Sequence, residues 1–347
     1  MKSILGWDIG GAHLKLVRME SDGRLIDVQQ VACPLWQGLS TLSAAMDRLM
    51  TPQDLDPATR HALTMTAELV DAFESRSEGV RQIIHFMETK LASQEIRIFA
   101  GDLGFQFPRD ITPEMRVHVA SANWLASGLW VGHKLDHALL VDIGSTTTDI
   151  LAVIEGAPKY LGYCDEERIE SGELVYTGVA RTPLMAISGR IPLAGRWKGV
   201  LAESFATASD VYRMSLELKE GDDHYPAADH GPKTLEGSAR RIARQYGLDQ
   251  PMVGIEPMTQ AAGYLREQQL QRILEALHQV ISAHPIAGSA PLVAAGVGRF
   301  LVPELARRLG RPSLDFSTLL SLDSALQGYS PADCAPAAAV AALASLQ

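Results

Sequence analysis

The sequence has few cysteines and no long apolar run. Its three cysteines, Cys33, Cys164 and Cys334, lie far apart and show no Cys-x-x-Cys spacing. Zinc sites and disulfide frameworks depend on such clustered cysteines, so we expect neither and interpret all three as reduced thiols. Asp8 interrupts the first apolar run before a signal sequence could form, and no stretch approaches the roughly 18 apolar residues of a membrane helix. We therefore expect a cytoplasmic protein without a membrane partner.

Positive charge is also scarce. Lys and Arg number 31 against 41 Asp and Glu, which gives a formal net charge of −10. Proteins that bind nucleic acids or membrane surfaces normally present a positive field, so neither partner is expected. An anionic small molecule would have to be held locally, by backbone N–H groups and a metal ion. The sequence leaves the oligomeric state open, and a homodimer is compatible with it.

The order of apolar patterns predicts mixed sheets covered by helices. Three strands come first, and strands then alternate with stretches of helical spacing. The predicted strands are 3–7, 12–19, 25–32, 61–66, 96–100, 138–142, 147–154, 159–163 and 291–295. The predicted helices are 39–50, 79–91, 121–135, 205–218, 235–246, 258–283, 300–309 and 335–346.

Two stretches share one pattern, and their Asp-Ile-Gly turns are 134 positions apart. Residues 5–15 read LGWDIGGAHLK and residues 140–150 read LVDIGSTTTDI, each an apolar strand, an Asp-Ile-Gly turn and a second strand. A chain of 347 residues exceeds what one hydrophobic core usually supports. We therefore predict two duplicated lobes, 1–120 and 121–332, and expect the closing helix, 333–347, to pack on the first.

A helical insertion on the second lobe is predicted at about 203–250. Its middle, 219–233, is charged and rich in Pro and Gly, which indicates a loop. The following helix carries Arg240, Arg241 and Arg244, which we interpret as a solvated helix face rather than an anion clamp.

The repeated turn is suited to binding phosphate. A strand that turns on glycine presents consecutive backbone N–H groups at a hairpin tip. Gly10, Gly11 and Gly144 let the backbone approach an anion closely. The residues expected to hold phosphate through hydroxyl, imidazole or ammonium groups are His13, Lys15, Ser145, Thr146 and Thr147. Carboxylates repel phosphate, so Asp8, Asp142 and Asp149 indicate a hydrated Mg²⁺ between carboxylate and diphosphate oxygens.

A third glycine turn lies at 293–301, VAAGVGRFL, where a buried strand ends in Gly-x-Gly and enters a helix. Gly296 and Gly298 at a helix N-terminus favour phosphate, or allow a planar ring to lie against the backbone. Arg299 is a further anion-binding candidate, with helix capping or surface exposure as its alternative.

Together the three turns resemble the signature of the superfamily of sugar kinases, heat-shock chaperones and actin. That resemblance implies an α/β fold of two duplicated ribonuclease H-like lobes, with mixed sheets flanked by helices and a helical insertion. It also implies that each lobe contributes one phosphate hairpin to a shared cleft.

More specific segments narrow the resemblance. TMTAELVDAFESRSEGV at 64–80 is similar to the hydantoinase and oxoprolinase group, with its Glu-Leu-x-Asp-x-Phe and Arg-x-x-Gly elements. GYCDEERIESGELVYTGVARTPL at 162–184 and ANWLASGLW at 122–130 resemble a smaller relative, a protein of tetrahydromethanopterin-linked one-carbon transfer. That relative is similar to the archaeal enzyme of methanofuran assembly.

This resemblance implies a transferase. The enzyme would join an aminomethylfuran diphosphate to the phenol of a γ-glutamyltyramine-like or tyrosine-derived acceptor and release pyrophosphate, in methanofuran or methylofuran biosynthesis. Mg²⁺ and the two hairpins would bind the leaving group, with Asp8 and Asp142 essential to catalysis. The partner is thus a phosphorylated small molecule, and ATP is an open alternative that the resemblance does not favour.

The acceptor phenol, with an ordinary pKa near ~10, would benefit from a base. Glu68 is the first candidate, and its alternative is a place in the first turn of the next helix. Lys15 either reaches phosphate as a point charge or is an exposed strand lysine. His13 could be a base, a phosphate donor or a plain turn residue.

Four residues of the segment 162–184 are substrate candidates. Arg181 and Thr182 could bind an anion or could be surface and capping residues. Glu173 and Tyr176 are expected to shape the acceptor pocket.

Three other functions remain open at this point. A small-molecule kinase or ATPase of the same fold would release ADP. A hydantoinase or oxoprolinase-like amidohydrolase would open a cyclic amide. A scaffold that has lost turnover would not need the metal-ready carboxylates.

Overall fold

The computed structural model describes residues 3–92 and 94–347. Its strands are β1 Ile4–Ile9, β2 His13–Met19, β3 Arg24–Ala32, β4 Arg60–Met65, β5 Glu95–Phe99, β6 Phe105–Gln106, β7 His137–Ile143, β8 Thr148–Ile154, β9 Ala157–Lys159, β10 Leu174–Val175, β11 Arg190–Leu193, β12 Arg196–Gly199, β13 Leu292–Ala295, β14 Ser313–Asp315 and β15 Ser321–Gly328. Its helices are α1 Leu39–Leu49, α2 Arg76–Lys90, α3 Arg116–Val119, α4 Asn123–Lys134, α5 Asp165–Glu170, α6 Leu184–Ile187, α7 Ala208–Met214, α8 Leu235–Gln245, α9 Gln250–Val253, α10 Ile255–Ala283, α11 Val302–Leu309 and α12 Ala335–Ala344.

The strands form two large mixed sheets and one small hairpin. The first sheet has the order β15-β3-β2-β1-β4-β5-β6, in which β1 pairs antiparallel with β2 and parallel with β4. The second has the order β10-β8-β7-β13-β14, with β9 paired to β8, and β11 and β12 pair with each other. In both large sheets the strand carrying the Asp-Ile-Gly turn is central, which holds the turn on a rigid support.

The chain divides into two compact units. The first comprises Met1–Leu140, Leu151–Lys159 and Leu314–Gln347, and the second comprises Val141–Ile150 and Tyr160–Ser313. The predicted lobes, 1–120 and 121–332, divide the chain differently and stay a prediction.

In the first unit the alanine-rich α12 packs directly on β1. A Cβ atom at Gly6 would lie 2.1 Å from the carbonyl oxygen of Ala337 and 2.8 Å from the Cβ of Ala341. Small side chains on both elements let the two backbones approach this closely. On the other face of the sheet Leu14 and Leu16 belong to a buried cluster with residues of α1 and α2.

In the second unit α7 and α8, which lie within the predicted insertion, share a hydrophobic core with α10, which follows it. Val211, Ile242 and Leu265 are fully buried in one cluster. Helix α10 has 29 residues, and its buried positions recur from Met258 to Val280. Among the described residues, no helix is long and apolar enough to span a membrane.

Three predictions for this region need correction. The predicted strand 159–163 ends at Lys159, and the predicted helix 205–218 is limited to α7. The interpretation of the α8 arginines as a solvated face is wrong for Arg241, whose side chain is completely buried. Its guanidinium lies 2.8 Å from Asp210 and 3.0 Å from Asp229, because α8 turns this position toward α7. Two carboxylates supply the charge that makes such burial tolerable.

Candidate functional site

The two repeated turns have the same backbone geometry. In the first tip, defined as residues 8–15, the N–H of Gly10 donates to the carbonyl of His13 at 3.0 Å. In the second tip, defined as residues 142–149, the N–H of Gly144 donates to the carbonyl of Thr147 at 2.8 Å. Each turn follows a central strand of its sheet. The repeat predicted from residues 5–15 and 140–150 is therefore a repeat of structure.

Charge in the first tip is balanced within the hairpin. Asp8 and Lys15 are cross-strand neighbours, and the ammonium of Lys15 lies 3.0 Å from Oδ2 of Asp8. Asp8 is 2% exposed, and its Oδ1 makes no hydrogen bond within the described residues. The alternative prediction for Lys15, an exposed strand lysine, is therefore wrong. Its proposed contact with phosphate stays a prediction, as does the role of His13, which is 7% exposed.

A loop of the second unit presses against the second tip. The N–H groups of Ala180 and Arg181 donate to the carbonyl of Ser145, at 3.1 and 2.8 Å. A Cβ atom at Gly178 would lie 2.5 Å from backbone atoms of Ser145 and Thr146, so only glycine fits there without movement. The loop therefore fixes the path of the tip backbone.

The Gly-x-Gly turn contacts the first residues of the second tip, Asp142 and Ile143. The N–H of Gly298 donates to the carbonyl of Ile143 at 2.8 Å. Gly296 has φ +79°, and a Cβ there would lie 2.2 Å from the Ile143 carbonyl oxygen and 2.4 Å from Oδ1 of Asp142. Both the backbone conformation and the space require glycine. Two glycine-containing segments distant in sequence thus converge on residues 142–146.

Asp149 has a cationic partner that was not anticipated. Arg168 of α5 is 2% exposed, and its Nη1 donates to Oδ1 of Asp149 at 2.9 Å. Its Nη2 donates to the carbonyl of Glu173 at 3.0 Å. Asp149 therefore neutralises a buried guanidinium, which makes it a poor ligand for Mg²⁺.

The remaining carboxylates fit a divalent ion better. Asp8 has a buried oxygen without a hydrogen bond in the described chain, and Asp142 is half-buried beside Gly296. Mg²⁺ commonly uses one or two protein carboxylates together with substrate phosphates. Within 3–92 and 94–347, no three His, Cys, Asp or Glu side chains form a cluster that could hold a metal. The metal assignment stays a prediction.

Glu68 follows β4 in a single 3-10 turn, Ala67–Leu69, rather than in the first turn of α2. It is 1% exposed, and its Oε1 accepts a hydrogen bond from Ser121 at 2.7 Å. Ser121 has φ +51°, a conformation that is costly for a residue with a side chain. The Glu68 carboxylate is therefore held in one orientation, and its role as base stays a prediction.

The four substrate candidates have different surroundings. Glu173 is 1% exposed and accepts hydrogen bonds from the N–H groups of Leu161 and Gly162, at 2.6 and 3.1 Å. Thr182 is buried and bonds to both backbone groups of Gly178. These two residues shape loops. Arg181 and Tyr176 are exposed, and the Arg181 guanidinium lies 5.6 Å from the ring centre of Tyr225. Arg181 and Tyr176 thus keep access to a ligand.

Arg299 bonds back to its own turn. Its Nη1 donates to the carbonyl of Gly296 at 3.2 Å. The first residues after Gly298 form a 3-10 turn, Arg299–Leu301, before α11 begins. The phosphate role proposed for Arg299 stays a prediction.

Sequence reasoning missed Gln269, which is 1% exposed on α10. Its amide nitrogen donates to Oγ1 of Thr177 and to the carbonyl of Gly178, at 2.8 and 2.9 Å. A signal existed, because Gln269 stands four positions after Leu265 and four before Ile273, on the apolar face of the helix. A polar residue at a core position calls for polar partners.

A family model described as hydantoinase/oxoprolinase matches residues 60–335. The chain belongs to the hydantoinase/oxoprolinase family. This confirms the family inferred from residues 64–80. The match begins at β4 and covers the second tip and both of the loops that contact it.

Two archaeal relatives carry a single enzyme name, (4-{4-[2-(gamma-L-glutamylamino)ethyl]phenoxymethyl}furan-2-yl)methanamine synthase. The protein of Methanocaldococcus jannaschii is 29% identical over 273 residues, which cover 78% of this chain and 80% of the relative. That of Methanococcus vannielii is 27% identical over 181 residues, or 52% of this chain and 80% of the relative. The resemblance inferred from residues 122–130 and 162–184 is confirmed.

A nucleotide-free structure of acetone carboxylase is similar in fold. It aligns with a TM-score of 0.58 at 11% identity and covers 89% of this chain and 67% of that chain. At this identity the likeness concerns the fold alone. It agrees with the predicted fold class, an α/β protein with mixed sheets flanked by helices, which is confirmed.

Proposed function

We propose that this protein is a transferase of methanofuran or methylofuran biosynthesis. It would condense an aminomethylfuran diphosphate with the phenol of a γ-glutamyltyramine-like or tyrosine-derived acceptor. The observation that carries the proposal is the similarity, over 78% of the chain, to a synthase whose named product contains a phenoxymethyl-furan ether. The residues of the second tip lie within the matching family model.

The reaction forms one carbon–oxygen bond and breaks another. The phenol oxygen bonds to the methylene carbon of the furan, the bond from that carbon to the diphosphate breaks, and the phenol proton leaves to a base. Negative charge accumulates on the departing diphosphate, so groups that bind it more tightly as charge develops lower the barrier.

The second tip offers groups of that kind. Its turn is half-buried, and the hydroxyls of Ser145 and Thr146 lie 3.5 Å apart. Oriented hydroxyl and amide donors in such a turn would bind diphosphate oxygens without reorganising during the reaction. When bound, Mg²⁺ would supply charge neutralisation of the diphosphate, and Asp142 is the carboxylate of the second tip that would hold it. Asp8 is the corresponding candidate in the first tip.

Glu68 remains our candidate for the base. Its side chain is 1% exposed, and the hydroxyl of Ser121 donates to its Oε1 at 2.7 Å. A carboxylate held by a fixed donor is well suited to accept a proton in one direction.

The decisive experiment incubates the protein with the furan diphosphate, Mg²⁺ and candidate phenols, and follows pyrophosphate and the ether by mass spectrometry. We expect turnover without nucleotide. Asp142→Asn should lower kcat by about 10² to 10³ while the melting temperature stays unchanged, since the lost term is electrostatic. Full activity of Asp142→Asn would remove this metal assignment.

A second candidate is an amidohydrolase that opens a cyclic amide, and the family match at residues 60–335 favours it. The same protein incubated with a hydantoin or with 5-oxoproline, with and without ATP, tests it. Ring opening without formation of the ether would overturn the transferase. Release of ADP with a phosphorylated product would instead indicate a kinase.

A further inference from the structure

Both the nitrogen and the oxygen of the Gln269 side-chain amide make hydrogen bonds within the protein. Besides the two bonds donated by Nε2, its Oε1 accepts a hydrogen bond from the hydroxyl of Tyr212 at 2.8 Å. Both side chains are buried, at 1% and 0% exposure. Gln269 therefore connects α7 and α10 to the loop that begins at Thr177.

The chemistry of the partners sets the direction of these bonds. The carbonyl of Gly178 can only accept, so the amide nitrogen must face it and the amide oxygen must face Tyr212. Tyr212 must then donate. Burial raises the pKa of Tyr212 far above its usual value, which keeps the phenol protonated at neutral pH. The connection has a single hydrogen-bonding arrangement.

The loop end of this connection abuts the second tip. Gly178 lies against the backbone of Ser145 and Thr146, and the N–H of Val179 donates to the carbonyl of Gly144 at 3.1 Å. The carbonyl of Thr177 accepts a bond from the hydroxyl of Thr148 at 2.8 Å. Displacement of Thr177 or Gly178 would therefore move the tip.

The other end reaches the Gly-x-Gly turn. The ring of Tyr212 meets that of Phe300 edge to face, with ring centres 5.3 Å apart. Phe300 follows Arg299 directly, at the end of the turn whose Gly298 bonds to the carbonyl of Ile143. Tyr212 thus contacts one flanking segment of the tip through its ring and the other through Gln269.

We propose that Tyr212 and Gln269 are positioning residues that hold the second tip and its two flanking segments in one geometry for a phosphate-bearing ligand. This rests on the proposed function only in that the second tip binds diphosphate. Neither side chain contacts the ligand. Their loss should weaken binding of the polyanion and leave binding of the acceptor unchanged.

The test measures the Kd of pyrophosphate with Mg²⁺ by isothermal titration calorimetry. Gln269→Met keeps the volume but removes all three bonds, and Tyr212→Phe keeps the ring contact but removes the donor. We expect each to raise the Kd about tenfold, with a rise in KM for the furan diphosphate and no change in KM for the phenol. Gln271→Met is the matched control, because Gln271 is exposed on the same helix and its amide nitrogen donates to the exposed Glu275 at 3.1 Å.

The outcomes separate the two proposals. If the wild-type protein is active and the two variants bind pyrophosphate with an unchanged Kd, the positioning role alone is overturned. Wild-type protein that binds no pyrophosphate would overturn the diphosphate site and the positioning role with it. If Gln269→Met does not fold, Tyr212→Phe decides, since a purely structural hydroxyl would change the melting temperature without changing the Kd.

Discussion

In the first tip, the residue seven positions after the aspartate is Lys15, whose ammonium lies 3.0 Å from Asp8. In the second tip the residue seven positions after Asp142 is Asp149, which pairs with Arg168 of α5 at 2.9 Å. The two turns share a backbone hydrogen bond but carry opposite charge at this position. The backbone geometry of the two turns is therefore the same, whereas the charge at this position differs.

The difference has a chemical consequence. The first tip balances one carboxylate with one ammonium inside the hairpin. The second tip carries two carboxylates and takes its cation from another element, so its charge balance depends on packing. Asp149 is paired with Arg168, and in the first tip the ammonium of Lys15 competes with a divalent ion for the carboxylate of Asp8. We therefore favour Asp142 over Asp8 as the principal metal ligand.

The largest expected effect comes from Gly178→Ala. Its Cβ would lie 2.5 Å from the backbone of Ser145 and Thr146, which cannot move as a side chain can. We expect kcat/KM to fall about 10²-fold or more, because small displacements of binding groups have effects of that size. Gly189→Ala, with nothing within 4 Å of the new Cβ, should match wild-type protein.

In the first tip, the Cβ of Gly11→Ala would meet a side-chain atom of Val70 at 2.8 Å, so this variant should lose less activity than Gly178→Ala. Equal activity of the Gly178 and Gly189 variants would show that the second tip tolerates movement.

The charge pairs provide the next comparison. Arg168→Met leaves Asp149 without its buried partner and should lower the free energy of unfolding by about 3 to 5 kcal/mol. Lys15→Met should have a smaller effect, about 1 to 2 kcal/mol, since the Lys15 side chain is 23% exposed and water screens the pair. Urea unfolding of both variants, with the exposed-pair variant Arg81→Met as control, measures the difference. A larger loss of stability for Lys15→Met than for Arg168→Met would contradict this ranking of the two ion pairs.

The last comparison concerns a buried histidine beside the strand that carries the first tip, and its effect appears only at acidic pH. Nε1 of Trp7 donates to Nδ1 of His61 at 3.0 Å, and burial lowers the pKa of His61 to about 4, with Asp54 opposing the shift. The unfolded chain takes up this proton near pH 6.5, so stability is complete above that pH and falls as the pH decreases toward 4. The loss approaches about 3 kcal/mol. Urea unfolding at pH 7.5 and 4.5, followed by tryptophan fluorescence, should show this loss in wild-type protein and a smaller one in His61→Gln. An identical pH dependence in both proteins would contradict the assignment.

Local sequence patterns were enough to predict those parts of the site that are formed by a single short segment of the chain. The two tips follow from an apolar strand, an aspartate and glycines within eleven residues, and the structure closes both turns with equivalent bonds. The Gly-x-Gly turn was likewise predicted from nine residues. The partners of these turns were not predicted. Arg168 precedes Glu173 in a segment that reads as a charged helix surface, and Gln269 is 91 positions from Gly178.

The sequence alone determined the fold class, the repeat of the strand-turn-strand unit and the positions of the turns, because strand alternation, helical spacing and glycine requirements act between near neighbours in the chain. The tertiary structure alone decided which charges are balanced and which polar groups are buried. Arg241 and Arg168 look exposed by composition, yet both are buried against carboxylates. The reason is that desolvation and pairing depend on the residues that packing brings together, and no short-range pattern encodes those residues.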